Sequence, residues 1–192
     1  RHTGTPARLR YGYADYLGPD GFHGDHVVTE YWNDARGWLL ADPQLADPRV
    51  LDSCHADFDP LDVPRDRFLV AGAAWRAIRT GAADPAAFGV HPPDEGPLNG
   101  EPFVAHSLRL DLAMLNKVEP LLWDLWGPAP DAGHPHLAAP LRRLHDQVAL
   151  LTYDDIAVNA VRTLFDEHEA LRTPKTLLSL SPFKGPRTVT LR

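Results

Sequence analysis

A histidine and an aspartate lie near the ends of two predicted strands that follow each other in the chain. His26 opens the β-branched and aromatic run of residues 26–32, and Asp42 directly follows the run of residues 38–41. A carboxylate that holds an imidazole fixes its tautomer and stabilises the imidazolium, while the other ring nitrogen takes the proton of a nucleophile. If the two side chains meet, they can form the base half of a nucleophilic triad.

The turn between the two runs decides whether these side chains share a face of the sheet. The intervening residues have turn chemistry, which predicts an antiparallel hairpin. With the turn centred on Asp34, Asp42 lies directly opposite His26; with the turn centred on Ala35, Asp42 faces Val28 and is a diagonal neighbour of His26. Both registers bring the pair together, whereas a one-residue slip between them would place the side chains on opposite faces.

The surroundings of His26 allow a structural interpretation as well as a catalytic one. Taken alone, a histidine beside an acidic residue in a hairpin is more often a structural residue. Glu30 and Trp32 share the strand face of His26, and Trp38 begins the partner strand. We expect these side chains to form an apolar wall that partly excludes water from the pair.

Three short motifs occur in a fixed order around this pair: GTPAR at residues 4–8, HVVTEYW at residues 26–32, and GW followed by ADP within residues 37–43. They resemble the second half of a bacterial transglutaminase-like domain, of the papain-like Cys-His-Asp superfamily. The match covers roughly the first 45 residues. The resemblance implies that His26 is the general base, that Asp42 orients it, and that the substrate is a peptide or protein amide.

The catalytic cysteine of that family has no counterpart in this sequence. The helix that carries it would precede Arg1, so we expect the chain to be N-terminally incomplete and inactive as it stands. Cys54 is the single cysteine, and it follows the aspartate in a stretch rich in Pro and Asp, which breaks the family's order. Nothing in the sequence places Cys54 at a helix N-terminus beside a base.

Two hypotheses about function follow from this departure. The first is thiol-dependent acyl transfer or hydrolysis at amide bonds, with the nucleophilic cysteine missing from this chain. The second is a non-catalytic interaction module that keeps the transglutaminase-like fold without its chemistry. The sequence does not choose between a crosslinker, a protease, a deamidase and a cyclase, and it leaves the oligomeric state open.

Histidine-containing clusters at residues 22–26, 134–136 and 166–169 suggest a third hypothesis, a metal-dependent hydrolase. Zinc requires three or four converging ligands, and none of these clusters offers an H-E-x-x-H helix or a pair of cysteines. We therefore expect no metal and no other cofactor.

Composition excludes several classes of partner. The net charge is −7, and no run of five or six Lys or Arg is present, so we expect neither nucleic acid nor an anionic membrane as a partner. No apolar stretch reaches the roughly 20 residues that cross a bilayer. The lone cysteine is typical of a reducing compartment, which favours a cytoplasmic location.

The elements that must position the pair are strands early in the chain and helices later. Strands are predicted at residues 7–13, 26–32 and 38–41, and helices at residues 66–80, 103–126, 137–152 and 154–172. This order predicts an α+β fold, with an antiparallel transglutaminase-like sheet at the N-terminus followed by helices. Residues 1–46 would form the second half of the core, and residues 47–192 a connector and a mainly helical region. Arg8 and Arg10 point to one side of the first strand and could bind an acidic group, although a charged row on an edge strand is the more common explanation.

Overall fold

A computed structural model describes residues 4–118, 120–125, 137–154, 156–179 and 185–190. The described chain has an antiparallel sheet near its N-terminus followed mainly by helices, which confirms the predicted α+β class. The boundary predicted at residue 46 stays a prediction.

Five strands form the first sheet: β1 (Ala7–Ala14), β2 (His23–Asn33), β3 (Gly37–Ala41), β4 (Phe68–Val70) and β5 (Phe88–Gly89). The antiparallel strands have the order β3-β2-β1-β4, and β5 pairs in parallel with the start of β2. A second sheet contains β6 (Asp124–Leu125), β7 (Thr176–Ser179) and β8 (Arg187–Thr190) in that order. The helices are α1 (Pro48–Leu51), α2 (Ala71–Arg79), α3 (Gly100–Leu115), α4 (Ala139–Thr152) and α5 (Val158–Glu167).

One face of the first sheet packs against α3. Because side chains alternate between the faces of a strand, Tyr11 and Tyr13 point to the same side of β1. Both rings are buried, and the hydroxyl group of Tyr13 donates to Ser107 Oγ of α3 at 2.8 Å. This helix therefore closes the sheet face opposite to that of His26.

The connector between β3 and β4 covers the other face. Leu45 and Val63 of the connector join a buried cluster with Val28 and Leu40 of the hairpin. The amide of Val63 donates to the carbonyl oxygen of Leu40 at 2.9 Å, which ties the connector to β3. His26 and Asp42 belong to this covered face.

The segment before α2 differs from its predicted structure. A helix is predicted from residue 66, but residues 68–70 pair with Gly12–Ala14 as β4 and the helix begins at Ala71. The pairing depends on Gly12, because a Cβ atom there would lie 2.2 Å from the carbonyl oxygen of Leu69. The close approach of two backbones outweighs the helical periodicity of the segment.

Helix α3 also ends earlier than predicted. It ends at Leu115, where the Asn116 side chain donates to the carbonyl oxygen of Leu112 at 2.8 Å and Lys117 takes a positive φ of 66°. A residue in this left-handed conformation commonly ends a helix. Trp126, at the predicted end, lies outside the described residues.

Arg8 and Arg10 bind acidic side chains, which is the other interpretation that the sequence allowed, and do not form a charged row on an edge strand. Strand β1 pairs with β2 along its whole length and with β4 at its C-terminal end. Arg10 is fully buried, and its charge is compensated there by ion pairs with Glu30 at 3.0 Å and with Asp111 of α3 at 3.0 Å. In the part of the chain that the structure describes, no helix is long and apolar enough to cross a bilayer.

Candidate active site

The hairpin register brings His26 and Asp42 to the same region of the sheet. Strands β2 and β3 pair with Thr29 opposite Ala41, which centres the turn on Ala35. This is the second of the two registers that the sequence allowed. Asp42 follows directly after β3, one position beyond Ala41, as the diagonal neighbour of His26.

The two side chains are in direct contact. His26 Nε2 lies 2.7 Å from Asp42 Oδ2, and the residues are 7% and 1% exposed. Since the carboxylate can only accept, we assign the hydrogen to Nε2. The lone pair of the neutral ring is then on Nδ1, and no hydrogen bond joins Nδ1 to any residue that the structure describes. His26 therefore has the tautomer that a general base requires.

Two further donors hold Asp42 in place. The hydroxyl group of Tyr16 donates to Asp42 Oδ2 at 2.9 Å, and the amide of Gln44 donates to Asp42 Oδ1 at 3.0 Å. The second contact makes Asp42 the N-cap of a short 3₁₀ turn, Pro43–Ala46. With His26, these donors occupy both carboxylate oxygens, so the carboxylate cannot rotate without losing hydrogen bonds.

These contacts keep Asp42 ionised. Burial opposes the charged form, but the hydrogen bond and charge of His26, together with the bonds from Tyr16 and the Gln44 amide, hold the pKa of Asp42 below its usual value. Burial raises the pKa of Tyr16, and the adjacent Asp42 charge raises it further. At neutral pH, Asp42 is an anion and Tyr16 is a neutral donor.

Sequence reasoning did not find Tyr16. It lies in the loop after β1, a segment without a motif, and it is fully buried. Its ring packs edge-to-face on His26 at 6.3 Å between centroids, and the ring of Phe68 does the same from β4 at 6.4 Å. An aromatic residue shortly after a predicted strand was the only available signal.

The hairpin tryptophans do not form the predicted apolar wall beside His26. Trp32 and Trp38 pack on each other at 5.6 Å between centroids, next to the hairpin turn, and Trp32 is 39% exposed. The aromatic rings beside His26 are those of Tyr16 and Phe68. Glu30 is buried on the face of His26, as expected, but it binds arginines.

Cys54 packs against the buried cluster that contains Tyr16, but it has no hydrogen bond to His26 in the described chain. It lies shortly after α1, partly buried, and its Sγ is 3.5 Å from the carbonyl oxygen of Leu51. Among the described residues, no hydrogen bond joins a thiol to His26. The structure therefore brings His26 and Asp42 together, and it places Cys54 against the buried cluster that contains Tyr16.

In the described part of the chain, no group of three or more His, Cys, Asp or Glu side chains is arranged to hold a metal ion. Of the three clusters considered, residues 134–136 lie outside the described residues. No protein-family model, no curated protein and no solved structure matches this chain. The resemblance to transglutaminase-like domains thus rests on the sequence motifs alone.

Proposed function

We propose that this chain supplies the general base and its orienting carboxylate to a transglutaminase-like enzyme, which acts through a thiol on peptide or protein amides. The observation that supports this proposal is the 2.7 Å contact between His26 Nε2 and Asp42 Oδ2, with the carboxylate held from two other directions. Such a carboxylate stabilises the imidazolium that forms when Nδ1 accepts a proton.

The reaction proceeds in two steps. Nδ1 of His26 takes the thiol proton, and the sulfur attacks the amide carbon, forming a C–S bond as the carbonyl electron pair moves to oxygen. The C–N bond then breaks, and the imidazolium gives its proton to the departing amine. Water or a second amine next attacks the thioester and gives its proton to His26. The electron pair on oxygen then re-forms the carbonyl, the C–S bond breaks, and the sulfur takes the proton back from His26.

The thiol in this proposal comes from outside the 192 residues. Cys54 is the only cysteine in the sequence, and its sulfur is directed at the Leu51 carbonyl oxygen. In the transglutaminase-like arrangement that the motifs resemble, the cysteine lies on a helix that precedes the G-x-P-A-R turn.

A non-catalytic interaction module is the second candidate. His26 is only 7% exposed, and its ring packs edge-to-face with the rings of Tyr16 and Phe68, which suits a structural histidine as well as a catalytic one. In that case the His26–Asp42 bond would stabilise the hairpin without moving a proton.

Thiol labelling in the full-length gene product distinguishes the two candidates. A Cys54→Ser background removes the known thiol, and iodoacetamide at neutral pH then reports any other cysteine, located by mass spectrometry. We expect labelling that falls at least about tenfold in His26→Ala, because the thiolate forms through the base. His55→Ala, at an exposed histidine, is the matched control and keeps the original rate. Labelling that is absent, or independent of His26, would support the interaction module.

A further inference from the structure

A groove lies at the turn end of the β2–β3 hairpin, away from His26. Its volume is about 490 Å³, within the range of small-molecule sites. Its walls include Arg8, Glu30, Trp32, Trp38, Arg65 and Asp154. Ile156, before α5, and Val158, its first residue, contribute apolar side chains to the same groove.

At the floor of the groove three arginines share one buried carboxylate, and Asp154 in the wall brings the net charge of the lining side chains to zero. Glu30 is 1% exposed and accepts from Arg8 Nε at 2.6 Å, Arg10 Nη1 at 3.0 Å and Arg65 Nη2 at 2.8 Å. Arg10 also pairs with Asp111, so its charge is balanced. Arg8 and Arg65 are left to share the single negative charge of Glu30.

Both arginines keep donors for a further acceptor. Arg8 uses Nε for Glu30, and Arg65 uses Nη2 for Glu30 and the Trp38 carbonyl oxygen. Neither Nη atom of Arg8 has a hydrogen bond to a residue that the structure describes, and the same is true of Nε and Nη1 of Arg65. Burial lowers the pKa of Arg8, against the charge of Glu30, so a nearby anion would stabilise its charged form.

An aromatic surface lies beside these donors. The Arg8 guanidinium is 4.0 Å from the ring centroid of Trp38, a cation–π contact that fixes its orientation. Trp32 packs on Trp38 and remains 39% exposed. Asp154 has no ion pair with a described residue, and it disfavours an anion at its own side of the groove.

We propose that this groove binds a small carboxylate with a planar apolar body. The carboxylate accepts from Arg8 and Arg65, in the charge-assisted geometry that guanidinium groups favour. The planar body packs on Trp32 and Trp38. This site does not depend on His26 or Asp42, and it goes beyond the proposed function.

Calorimetric titration of the purified chain at low salt tests the proposal, with indole-3-acetate as the probe and indole-3-ethanol as its neutral counterpart. We expect saturable binding of the acetate, and binding of the alcohol at least about tenfold weaker, because only the carboxylate engages the guanidinium groups. Arg65→Gln should weaken acetate binding at least about tenfold. Arg36→Gln is the matched control, since Arg36 is on the same hairpin but pairs with Asp62 outside the groove.

A second measurement needs no variant. Indole N–H resonances of the wild-type protein should shift on titration with the acetate, at concentrations at which the alcohol leaves them in place. The proposal is overturned by the absence of saturable binding, by equal binding of the two probes, or by a folded Arg65→Gln protein that binds like wild type. His26→Ala should bind the acetate normally, so this result is separate from the thiol-labelling experiment.

Discussion

At the scale of single residues, the candidate site depends on a carboxylate that is buried and yet remains charged. Asp42 is 1% exposed, and it keeps its charge because its oxygens accept from His26, Tyr16 and the Gln44 amide. An ionised carboxylate with its hydrogen bonds satisfied avoids most of the cost of burial. Tyr16 is therefore a positioning residue, which acts on His26 through Asp42.

Tyr16→Phe tests this role with the loss of one oxygen atom. We expect the free energy of unfolding to fall by about 1–3 kcal/mol, because a charged acceptor loses a buried donor. We also expect the pKa of Asp42 to rise, since one of the bonds that lower it is lost. Urea denaturation measures the first effect and carboxylate NMR titration the second.

Tyr31→Phe is the matched control for this substitution. The hydroxyl group of Tyr31 donates to the carbonyl oxygen of Leu61 at 2.9 Å in an exposed position. Its removal should cost less than about 0.5 kcal/mol and leave Asp42 unchanged. If the two variants lose equal stability, or if the Asp42 pKa does not rise in Tyr16→Phe, Tyr16 has no positioning role.

The sequence could predict the local part of the site but not its distant partners. His26 and Asp42 are joined by one hairpin, so the period of a strand and the turn chemistry were enough to pair them. Tyr16 reaches Asp42 across 26 residues, and Arg10 reaches Asp111 across 101. Contacts of that separation depend on how elements pack, which no local pattern contains.

At the scale of elements, the ion pairs of Arg10 join the first sheet to α3. Its guanidinium pairs with Glu30 of β2 and with Asp111 of α3, and Asp111 also accepts the amide hydrogen of Tyr11 at 2.9 Å. Burial disfavours the charge of Arg10, but these two carboxylates raise its pKa above the usual value. One side chain thus satisfies two buried acids from different elements.

Arg10→Met should lower the free energy of unfolding by about 3–5 kcal/mol, because the buried carboxylate of Asp111 loses its counter-charge and Glu30 loses one of its three arginine partners. Arg36→Met, at the exposed pair with Asp62, should cost less than about 1 kcal/mol. Chemical denaturation of both proteins measures the difference. A loss in Arg10→Met as small as that in Arg36→Met would show that the network does not hold the sheet to the helix.

The pairing of β1 with β4 makes a second prediction about elements. In Gly12→Ala the new methyl group would lie 2.2 Å from the carbonyl oxygen of Leu69, so β4 must move away. We expect a loss of about 2–4 kcal/mol and faster amide exchange across Phe68–Val70. At Gly24 the nearest atom to an added Cβ is 3.7 Å away, so Gly24→Ala should be nearly neutral. Unchanged exchange in the Gly12 variant would contradict the structural reason for β4.

The same pairing explains why the helix predicted over this segment begins later than expected. The run from residue 68 onward repeats apolar side chains at helical spacing, and Trp75 and Ile78 are indeed buried on one side of α2. The first three residues pair as a strand because Gly12 allows their backbone to approach. The order of strands before helices was predictable, whereas this boundary depends on a neighbour 56 or more residues away in the chain.

At the scale of the whole molecule, the helical core contains buried histidines that oppose protonation. Burial, together with the charge of Arg109, lowers the pKa of His106 to about 3 and that of His145 to about 4. His145 Nδ1 donates to the carbonyl oxygen of Leu141 at 2.8 Å, and its Nε2 lies 3.2 Å from Arg109 Nη1. A proton on Nε2 would face the guanidinium group.

These shifts predict a loss of stability in mild acid. In the unfolded chain these histidines have a pKa of about 6.5, so below that pH the unfolded chain binds protons that the folded chain does not. The free energy of unfolding therefore falls as the pH drops toward 4. Each histidine contributes up to about 1.4 kcal/mol per pH unit in this window. The His145→Gln variant lacks one of the two groups that take up a proton only on unfolding. Its free energy of unfolding, although lower at neutral pH, should therefore decline less steeply between about pH 6 and pH 4.5.

Urea denaturation across this range measures the slope. His55→Gln, at an exposed site, should keep the wild-type slope because it leaves the two buried histidines intact. Equal slopes for wild type and His145→Gln would mean that the folded protein accepts a proton at His145, and that the helical core opens enough in mild acid to hydrate it.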